Sequence, residues 1–461
     1  MRYVPGFIKR IYDFSPVWMR NIFTTGYGIL KNKREKNSLF HERLAQLRES
    51  ESWSREKLDQ LQNQKLKEMI SHCAEKVTYY RELFAKLGID PYSIKTREDL
   101  KKLPLLTKED ILENTSRMIA DGYSMGGLLA ESSSGTTGKP LTVYWDRRDY
   151  AWTLAAREMI IERMGHRKGR DWVAIMNGYQ ILPLQRSKPP FWIKDYCNRT
   201  VHLSAYHISA DTIDHYHRFL RENSIKYIMG YSSLIGLVAT LMAGKGLTLE
   251  MNSAMLTSEP FYQWQLDAIN RAFPCRIINS YGQAERVALG GSCGESMNIH
   301  LFDELGIIEF IDSEQHQNKS MVVTSLINYA MPLLRYHLGD ISDFAGGDCG
   351  CGTEHTTILP VSTKSEDFVI TPERKFISAS LLTFPFKHPE GIMESQLVQK
   401  KPDRITANLV VNSNYSRDYE ERIREDLRSI LGDRINIDFK YPDQIPRTAA
   451  GKFRFVISEL E

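Results

Sequence analysis

Three short apolar runs limit what this chain can fold into. Trp172-Val173-Ala174-Ile175-Met176 is closed by Asn177-Gly178, Tyr227-Ile228-Met229 by Gly230, and Arg276-Ile277-Ile278 by Asn279. A helical stretch from Ser232 to Met242 follows the second run. Runs this short and this continuously apolar read as strands buried on both faces, and their alternation with helices predicts an α/β domain with a largely parallel sheet. Ligands in such folds bind beyond the carboxyl ends of the strands, so the residues just after each run are candidate site positions.

The flanking regions read differently. Residues 55–120 are predicted helical, with Leu58, Leu61, Leu66, Met69 and Ile70 near helical spacing. Pro104 ends one segment, and Thr107 is placed to cap the next with Asp110 in its first turn. Gly306–Ile311 and Met321–Leu326 read as strands of a β-rich stretch. Beyond about residue 364 a smaller α+β unit is expected. In it Tyr419, Ile423, Leu427, Ile430 and Leu431 form one helix face, and Gly432 stops the helix. The expected division is 1–363 and 364–461.

At 461 residues, 42% hydrophobic and 25% charged, the composition is that of an ordinary globular protein. A net charge of +3 is too small to make nucleic acid the main partner. Six cysteines in this length do not make a disulfide scaffold, and no apolar run is long enough to span a bilayer, so a cytoplasmic location is expected. The N-terminus mixes Phe7, Ile8, Ile11, Trp18, Ile22 and Phe23 with Lys9, Arg10, Arg20, Lys31 and Arg34. It reads either as a helical segment packed on the main domain or as a weak peripheral membrane contact, with Pro5 and Pro16 interrupting any continuous helix.

The chemistry-bearing run is Ser132-Ser133-Ser134-Gly135-Thr136-Thr137-Gly138-Lys139-Pro140. Inward-facing backbone N–H groups, hydroxyls and a lysine suit a polyphosphate. The spacing is not that of a Walker A loop, because two residues rather than four separate Gly135 from Gly138 and Pro140 follows Lys139. Four further segments stand in order behind it: Ser280-Tyr281-Gly282-Gln283-Ala284-Glu285, Leu334-Arg335-Tyr336-His337-Leu338-Gly339-Asp340, Lys364-Ser365-Glu366-Asp367, and Pro446-Arg447-Thr448-Ala449-Ala450-Gly451-Lys452. Each alone is weak, since Tyr-Gly and Gly-Asp pairs commonly mark turns.

Together they resemble the adenylate-forming (acyl-activating) superfamily, and most nearly its phenylacetate–CoA ligase and CapK-like branch, over nearly the whole chain. The resemblance implies a large N-terminal adenylate-forming domain, with mixed sheets, helices and a β-rich subdomain, and a small mobile C-terminal domain. It also implies a reaction. A carboxylate attacks the α-phosphorus of ATP, giving an acyl-adenylate and pyrophosphate, and a second nucleophile then displaces AMP. Ser133, Ser134, Gly135, Thr136, Thr137, Gly138 and Lys139 would hold the departing phosphates. Glu285 would carry Mg²⁺, Tyr281 would stack on adenine, and Ser258-Glu259-Pro260 would line the adenine pocket. Asp340 would take the ribose hydroxyls, and Lys452 would neutralise charge at the carboxylate and α-phosphate. Many relatives have arginine where Lys364 stands. Lys364 keeps the charge but not the planar fork, near an expected hinge at Lys364–Asp367.

The acid is expected between the Tyr231–Leu237 stretch and the turn after Tyr281, with Tyr231, Ser232 and Gly282 lining it and His202, Tyr206 and His207 nearby. The acceptor expected from the resemblance is coenzyme A, with a carrier-protein thiol or an amine as alternatives, the last suiting a role in capsular polysaccharide synthesis. A catalytically inactive nucleotide-binding protein of the same fold is the competing reading, opposed by the intact Glu285, Asp340 and Lys452. Finally, Cys293, His300, Cys349 and Cys351 offer three thiolates and an imidazole for a structural zinc, with His355 as a rival ligand and free thiols or a disulfide as the alternatives. Cys73, Cys197 and Cys275 read as isolated small core residues.

Overall fold

The computed structural model describes residues 12, 15–132, 141–183, 186–312, 319–346, 349–361, 368–372, 376–386, 391–446 and 454–460. At the centre is a sheet of nine strands among the described residues. In order across it run Thr357–Ile358, Ile299–Leu301, Leu289–Gly291, Arg276–Gly282, Ser253–Thr257, Tyr227–Tyr231, Val173–Asn177, Thr200–Ser204 and Trp192–Asp195. The middle five, from Arg276–Gly282 to Thr200–Ser204, are parallel. The flanks are antiparallel, which makes the sheet mixed, with a parallel centre.

The apolar runs are continuous because both faces of the sheet are covered. Successive residues face opposite sides. Val173, Met255 and Ile278 pack with the N-terminal helices in one core, whereas Ala174, Ala254 and Leu256 pack in the other with Ile213, Ile235 and Ile269. Gly230 is required where two strands close up, since a Cβ there would stand 1.9 Å from the Met176 carbonyl oxygen. The strand beginning at Arg276 runs to Gly282, past the expected stop at Asn279. Its extension is held by Leu289–Gly291, which pairs with Ser280, Tyr281 and Gly282. A long-range partner, absent from any local pattern, sets that boundary.

The helical reading of 55–120 resolves into Arg55–Lys76, Thr78–Leu87 and Lys108–Met118 with two short 3₁₀ turns between. Thr107 Oγ1 accepts from the Asp110 N–H at 3.1 Å, and Asp110 Oδ2 accepts from the Thr107 N–H at 2.8 Å, a reciprocal cap contributing about 1 kcal/mol. Gly306–Ile311, Lys319–Ser325 and Tyr336–Ser342 form an antiparallel three-stranded sheet. Leu129–Ser132 and Thr142–Trp145 form a hairpin whose last pair is Ser132 with Thr142. The C-terminal unit has a four-stranded sheet in the order Asn436–Lys440, Arg404–Val411, Ile392–Lys401, Val456–Ser458. Against it lies helix Asp418–Leu431, ended by Gly432 at φ +93°. The whole is a mixed α/β fold with a smaller α+β unit at its C-terminal end. Cys73 is buried as expected and Cys275 half-buried, but Cys197 is exposed, because it lies in the surface turn between Trp192–Asp195 and Thr200–Ser204.

Candidate functional site

Strand Arg276–Gly282 and strand Tyr336–Ser342 each deliver one side chain to a common point. Tyr281 Oη donates to Asp340 Oδ2 at 2.7 Å, across 59 positions of sequence. One turn beyond Tyr281, Glu285 is buried, and Tyr336 Oη donates to its Oε1 at 3.3 Å. Burial, reinforced by the Asp340 charge, raises the Glu285 carboxyl above the ordinary carboxylate range, while Tyr336 and the Lys108 ammonium oppose the shift. Burial and Asp340 likewise raise the Tyr281 phenol well above its usual value. A buried carboxylate with a second carboxylate near it costs free energy unless a cation compensates. The buried Glu285 carboxylate, a hard oxygen donor, suits Mg²⁺.

Two contributors carried no sequence signal. Lys108, just inside the capped helix Lys108–Met118, shares the field of Glu285, and burial lowers its pKa against that attraction. It is brought there by the segment before it: Leu106 N–H donates to the Arg335 carbonyl and His337 N–H to the Leu106 carbonyl, both at 2.9 Å. Arg335 itself is buried in a two-toothed pair with Glu309, with Nε to Oε2 and Nη2 to Oε1 both at 3.1 Å, and Nη1 donates to the Leu103 carbonyl. The second unforeseen feature is an ion pair between Arg286 and Glu131, 3.3 Å apart, with Tyr150 Oη donating to Glu131 Oε1 at 3.2 Å. The Arg286 guanidinium also lies 5.1 Å from the centre of the Tyr150 ring. Glu131 belongs to the hairpin strand that leads into Ser133, so the pair fixes the base of that hairpin beside Glu285.

Ser258 stands at the end of Ser253–Thr257 in a left-handed conformation, φ +68°. The Glu259 carboxylate turns to a helix N-terminus, where Oε2 accepts from the Ser233 N–H at 3.0 Å, and Ser232 Oγ donates to the Glu259 carbonyl at 3.2 Å. This ties Ser258-Glu259-Pro260 to the start of helix Ser232–Gly244. Ser232 is buried, Tyr231 half-buried and Gly282 exposed. His207 is satisfied within the fold by Ser204 Oγ at 2.7 Å and the Pro183 carbonyl at 3.2 Å. Ser133, Ser134, Gly135, Thr136, Thr137, Gly138, Lys139, the Lys364–Asp367 segment and Lys452 lie outside the described residues.

The four metal-ligand candidates converge. The ligand atoms of Cys293, His300, Cys349 and Cys351 all lie within 4.8 Å of one another. Cys293 Sγ is 3.4 Å from Cys349 Sγ, and Cys351 Sγ is 3.6 Å from His300 Nε2. Tetrahedral zinc with Zn–S near 2.3 Å needs sulfurs about 3.8 Å apart, so both the donor set and the spacing fit it. His300 Nδ1 contacts Thr357 Oγ1 at 3.0 Å, which orients Nε2 toward the thiols. Burial, helped by Arg163 and His355, pushes the His300 pKa down to about 4, so the ring is neutral near pH 7. His355 is not the fourth ligand: its Nδ1 faces Asp303 at 3.4 Å and its Nε2 faces the Ser50 carbonyl at 3.2 Å.

Comparison with known proteins agrees with this architecture. Residues 369–459 match the family described as the CapK C-terminal domain. The chain is 24% identical over 460 residues to protein CapK of Staphylococcus aureus, covering 98% of this chain and 100% of that protein. It is 22% identical over 443 residues to a phenylacetate–coenzyme A ligase of Thermus thermophilus, covering 89% of this chain and 98% of the ligase. Among solved structures, 2-hydroxyisobutyryl-CoA ligase with 2-HIB-AMP and CoA in the thioesterification state superposes with a TM-score of 0.58 at 16% identity, over 89% of this chain and 92% of that one. An open conformation of the same ligase gives 0.54 at 17% identity, over 88% and 93%. At these identities the structural likeness is one of fold.

Proposed function

We propose, on the premise that this chain is a homologue of CapK and of the phenylacetate–coenzyme A ligases, that it is an AMP-forming acid ligase. In this reading a small carboxylic acid is activated by ATP as an acyl-adenylate, and the acyl group passes to coenzyme A or, as alternatives, to a carrier-protein thiol or an amine. The observation that carries the reading is the meeting of Tyr281 with Asp340 at 2.7 Å, with buried Glu285 one turn away. Side chains far apart in sequence converge where an adenine, a ribose and a metal-bound phosphate would lie side by side.

Asp340 then accepts from the ribose hydroxyls, and Tyr281 positions that carboxylate while its ring offers a face to adenine. Mg²⁺ at Glu285 would supply the positive charge that both the phosphates and this buried carboxyl call for. The Glu131–Arg286 pair ties strand Leu129–Ser132 to the turn of Glu285, and the Ser133–Lys139 run that follows in sequence would meet the departing pyrophosphate. Lys452, on a C-terminal domain of residues 364–461 that closes on residues 1–363, neutralises the attacking carboxylate and the α-phosphate. Zinc held by Cys293, His300, Cys349 and Cys351 would be structural, since four protein ligands leave no open position. A role in capsular polysaccharide synthesis is the pathway context that the CapK likeness favours.

The test is acid-dependent ATP–pyrophosphate exchange across aryl, aliphatic and hydroxy acids, followed by AMP release with coenzyme A or hydroxylamine as acceptor. Exchange with at least one acid is expected. Nucleotide binding without AMP formation across the panel would instead favour a regulatory protein of the same fold.

A further inference from the structure

Helix Val17–Glu35, which starts directly after Pro16, presents its faces in the reverse of the usual order. Its buried positions are Arg20, Thr24 and Gly28, none of them a large apolar residue. It lies along the edge strand Trp192–Asp195 and is held there by polar contacts. Asn21 Oδ1 accepts from the Lys194 N–H at 2.9 Å, Thr25 Oγ1 accepts from the Tyr196 N–H at 3.1 Å, and Asn32 Nδ2 donates to Asn198 Oδ1 at 2.7 Å. A Cβ on Gly28 would stand 2.5 Å from Asp195 Oδ2, and that carboxylate is fixed by the backbone N–H groups of Cys197 and Asn198.

The large apolar side chains face outward. Trp18 is 61% exposed, Ile22 60%, Ile29 54% and Leu30 69%, and Phe23 and Tyr27 are exposed beside them. At helical spacing Trp18, Ile22 and Ile29 fall along one line, and Leu30, Phe23 and Tyr27 form a second row further round the helix to one side of it. A surface helix ordinarily buries its apolar stripe, and a contiguous exposed patch of this kind marks an interaction surface. From Trp18 to Arg34 there is no aspartate or glutamate. Exposed Lys31, Lys33 and Arg34 rim the C-terminal end of the patch, with Glu35 the one carboxylate of the helix.

We propose that this face docks on an anionic bilayer, the helix lying flat in the interface with Trp18, Ile22, Ile29 and Leu30 below the headgroups and Lys33 and Arg34 among them. Charge selects this occupant. Lys31, Lys33 and Arg34 outnumber Glu35, which pairs with Arg34 at 3.0 Å and Lys31 at 3.9 Å; a second copy of the face would bring the same net positive charge, whereas anionic headgroups complement it. The exposed Trp18 and Tyr27 are the side-chain types that settle at the membrane–water boundary. No helix among the described residues is long and apolar enough to cross a membrane, so the helix lies on the surface.

Flotation of the full chain with phosphatidylcholine vesicles, with and without phosphatidylglycerol, tests this. Binding is expected with phosphatidylglycerol and is expected to weaken as salt rises. The Trp18→Ser/Ile22→Ser variant should bind at least about tenfold more weakly, and Lys33→Glu/Arg34→Glu should lose about tenfold on anionic vesicles. Both should keep the wild-type melting temperature, because the side chains are exposed. Brominated lipid should quench tryptophan fluorescence in the wild type and less so in Trp18→Phe. Failure of the full chain to float with either vesicle overturns the proposal, as does undiminished binding by Trp18→Ser/Ile22→Ser. A solution dimer that Trp18→Ser/Ile22→Ser disperses would assign the face to a second copy and overturn it equally.

Discussion

The cluster around Glu285 and the cluster around Cys293 arise within a few residues of each other, from successive strands of one sheet, yet they are satisfied in opposite ways. Strand Arg276–Gly282 supplies Tyr281 and leads to Glu285, and the chain then returns through Leu289–Gly291 to Cys293 and His300. At Glu285 a buried carboxylate lies in the field of the partly buried Asp340, and a phenol and a nearby lysine only partly offset its cost. At Cys293, soft donors face one another at the spacing of a complete tetrahedron. In the proposed reading the first cluster would gain free energy by taking up a cation and a nucleotide, the second by closing on a metal. The difference teaches that proximity in the fold does not imply a shared role. The chemistry of the donors and the charge left uncompensated are what the proposed reading uses to tell a reactive centre from a structural one.

That separation can be broken experimentally, and the largest effect is expected at a residue far along the sequence from both clusters. Lys452→Ala should lower acid-dependent ATP–pyrophosphate exchange by about 10²–10³-fold with the melting temperature unchanged, as for loss of a charge that acts only as attack develops. Exchange at the wild-type rate would remove the lysine from its assigned role. Glu285→Gln should cost about 10²-fold in exchange and raise the Mg²⁺ concentration needed for half-maximal rate, again without lowering the melting temperature. A drop in melting temperature with normal exchange would make Glu285 structural, and the contrast between the clusters would fail.

Cys293→Ser should behave in the reverse manner. Loss of one ligand, or removal of zinc by a strong chelator, should lower the melting temperature by several degrees, while exchange per folded molecule stays within about twofold. Elemental analysis should return about one zinc per wild-type chain if the four ligands act together. Tyr281→Phe is the mildest change. It removes one hydrogen bond to a carboxylate, so KM for ATP should rise by about tenfold or less with kcat little changed. An unchanged KM would mean that the Tyr281–Asp340 bond is dispensable for nucleotide binding.

Much of the fold was legible because it is local. The apolar runs, the Thr107 cap and the Gly432 stop depend on residues a few positions apart, and each falls where the pattern places it, except that the Arg276 run continues past Asn279 to Gly282. The members of both clusters were also legible as residue types: a carboxylate after Tyr-Gly, an aspartate after Gly339, three cysteines and a histidine. Lys108, Glu131 and Arg286 were not, since nothing in their neighbourhoods distinguishes them from surface charges. The rivalry of His300 with His355 was equally beyond the sequence, because the two histidines differ only in what faces them.

By itself, then, the sequence determined which segments become strands and helices, and it supplied the chemical groups that make adenylation a coherent reading, because backbone propensity and side-chain chemistry are properties of short stretches. The tertiary structure alone decided which groups meet. It closed the 59 positions between Tyr281 and Asp340 to a 2.7 Å bond and joined the hairpin of Glu131 to the turn of Glu285 through Arg286. It also left the apolar side of Val17–Glu35 facing outward, where helical periodicity would place it inside. Periodicity reports that a helix has two faces. Which one is covered depends on the strand it packs against, and here that edge strand offered polar partners.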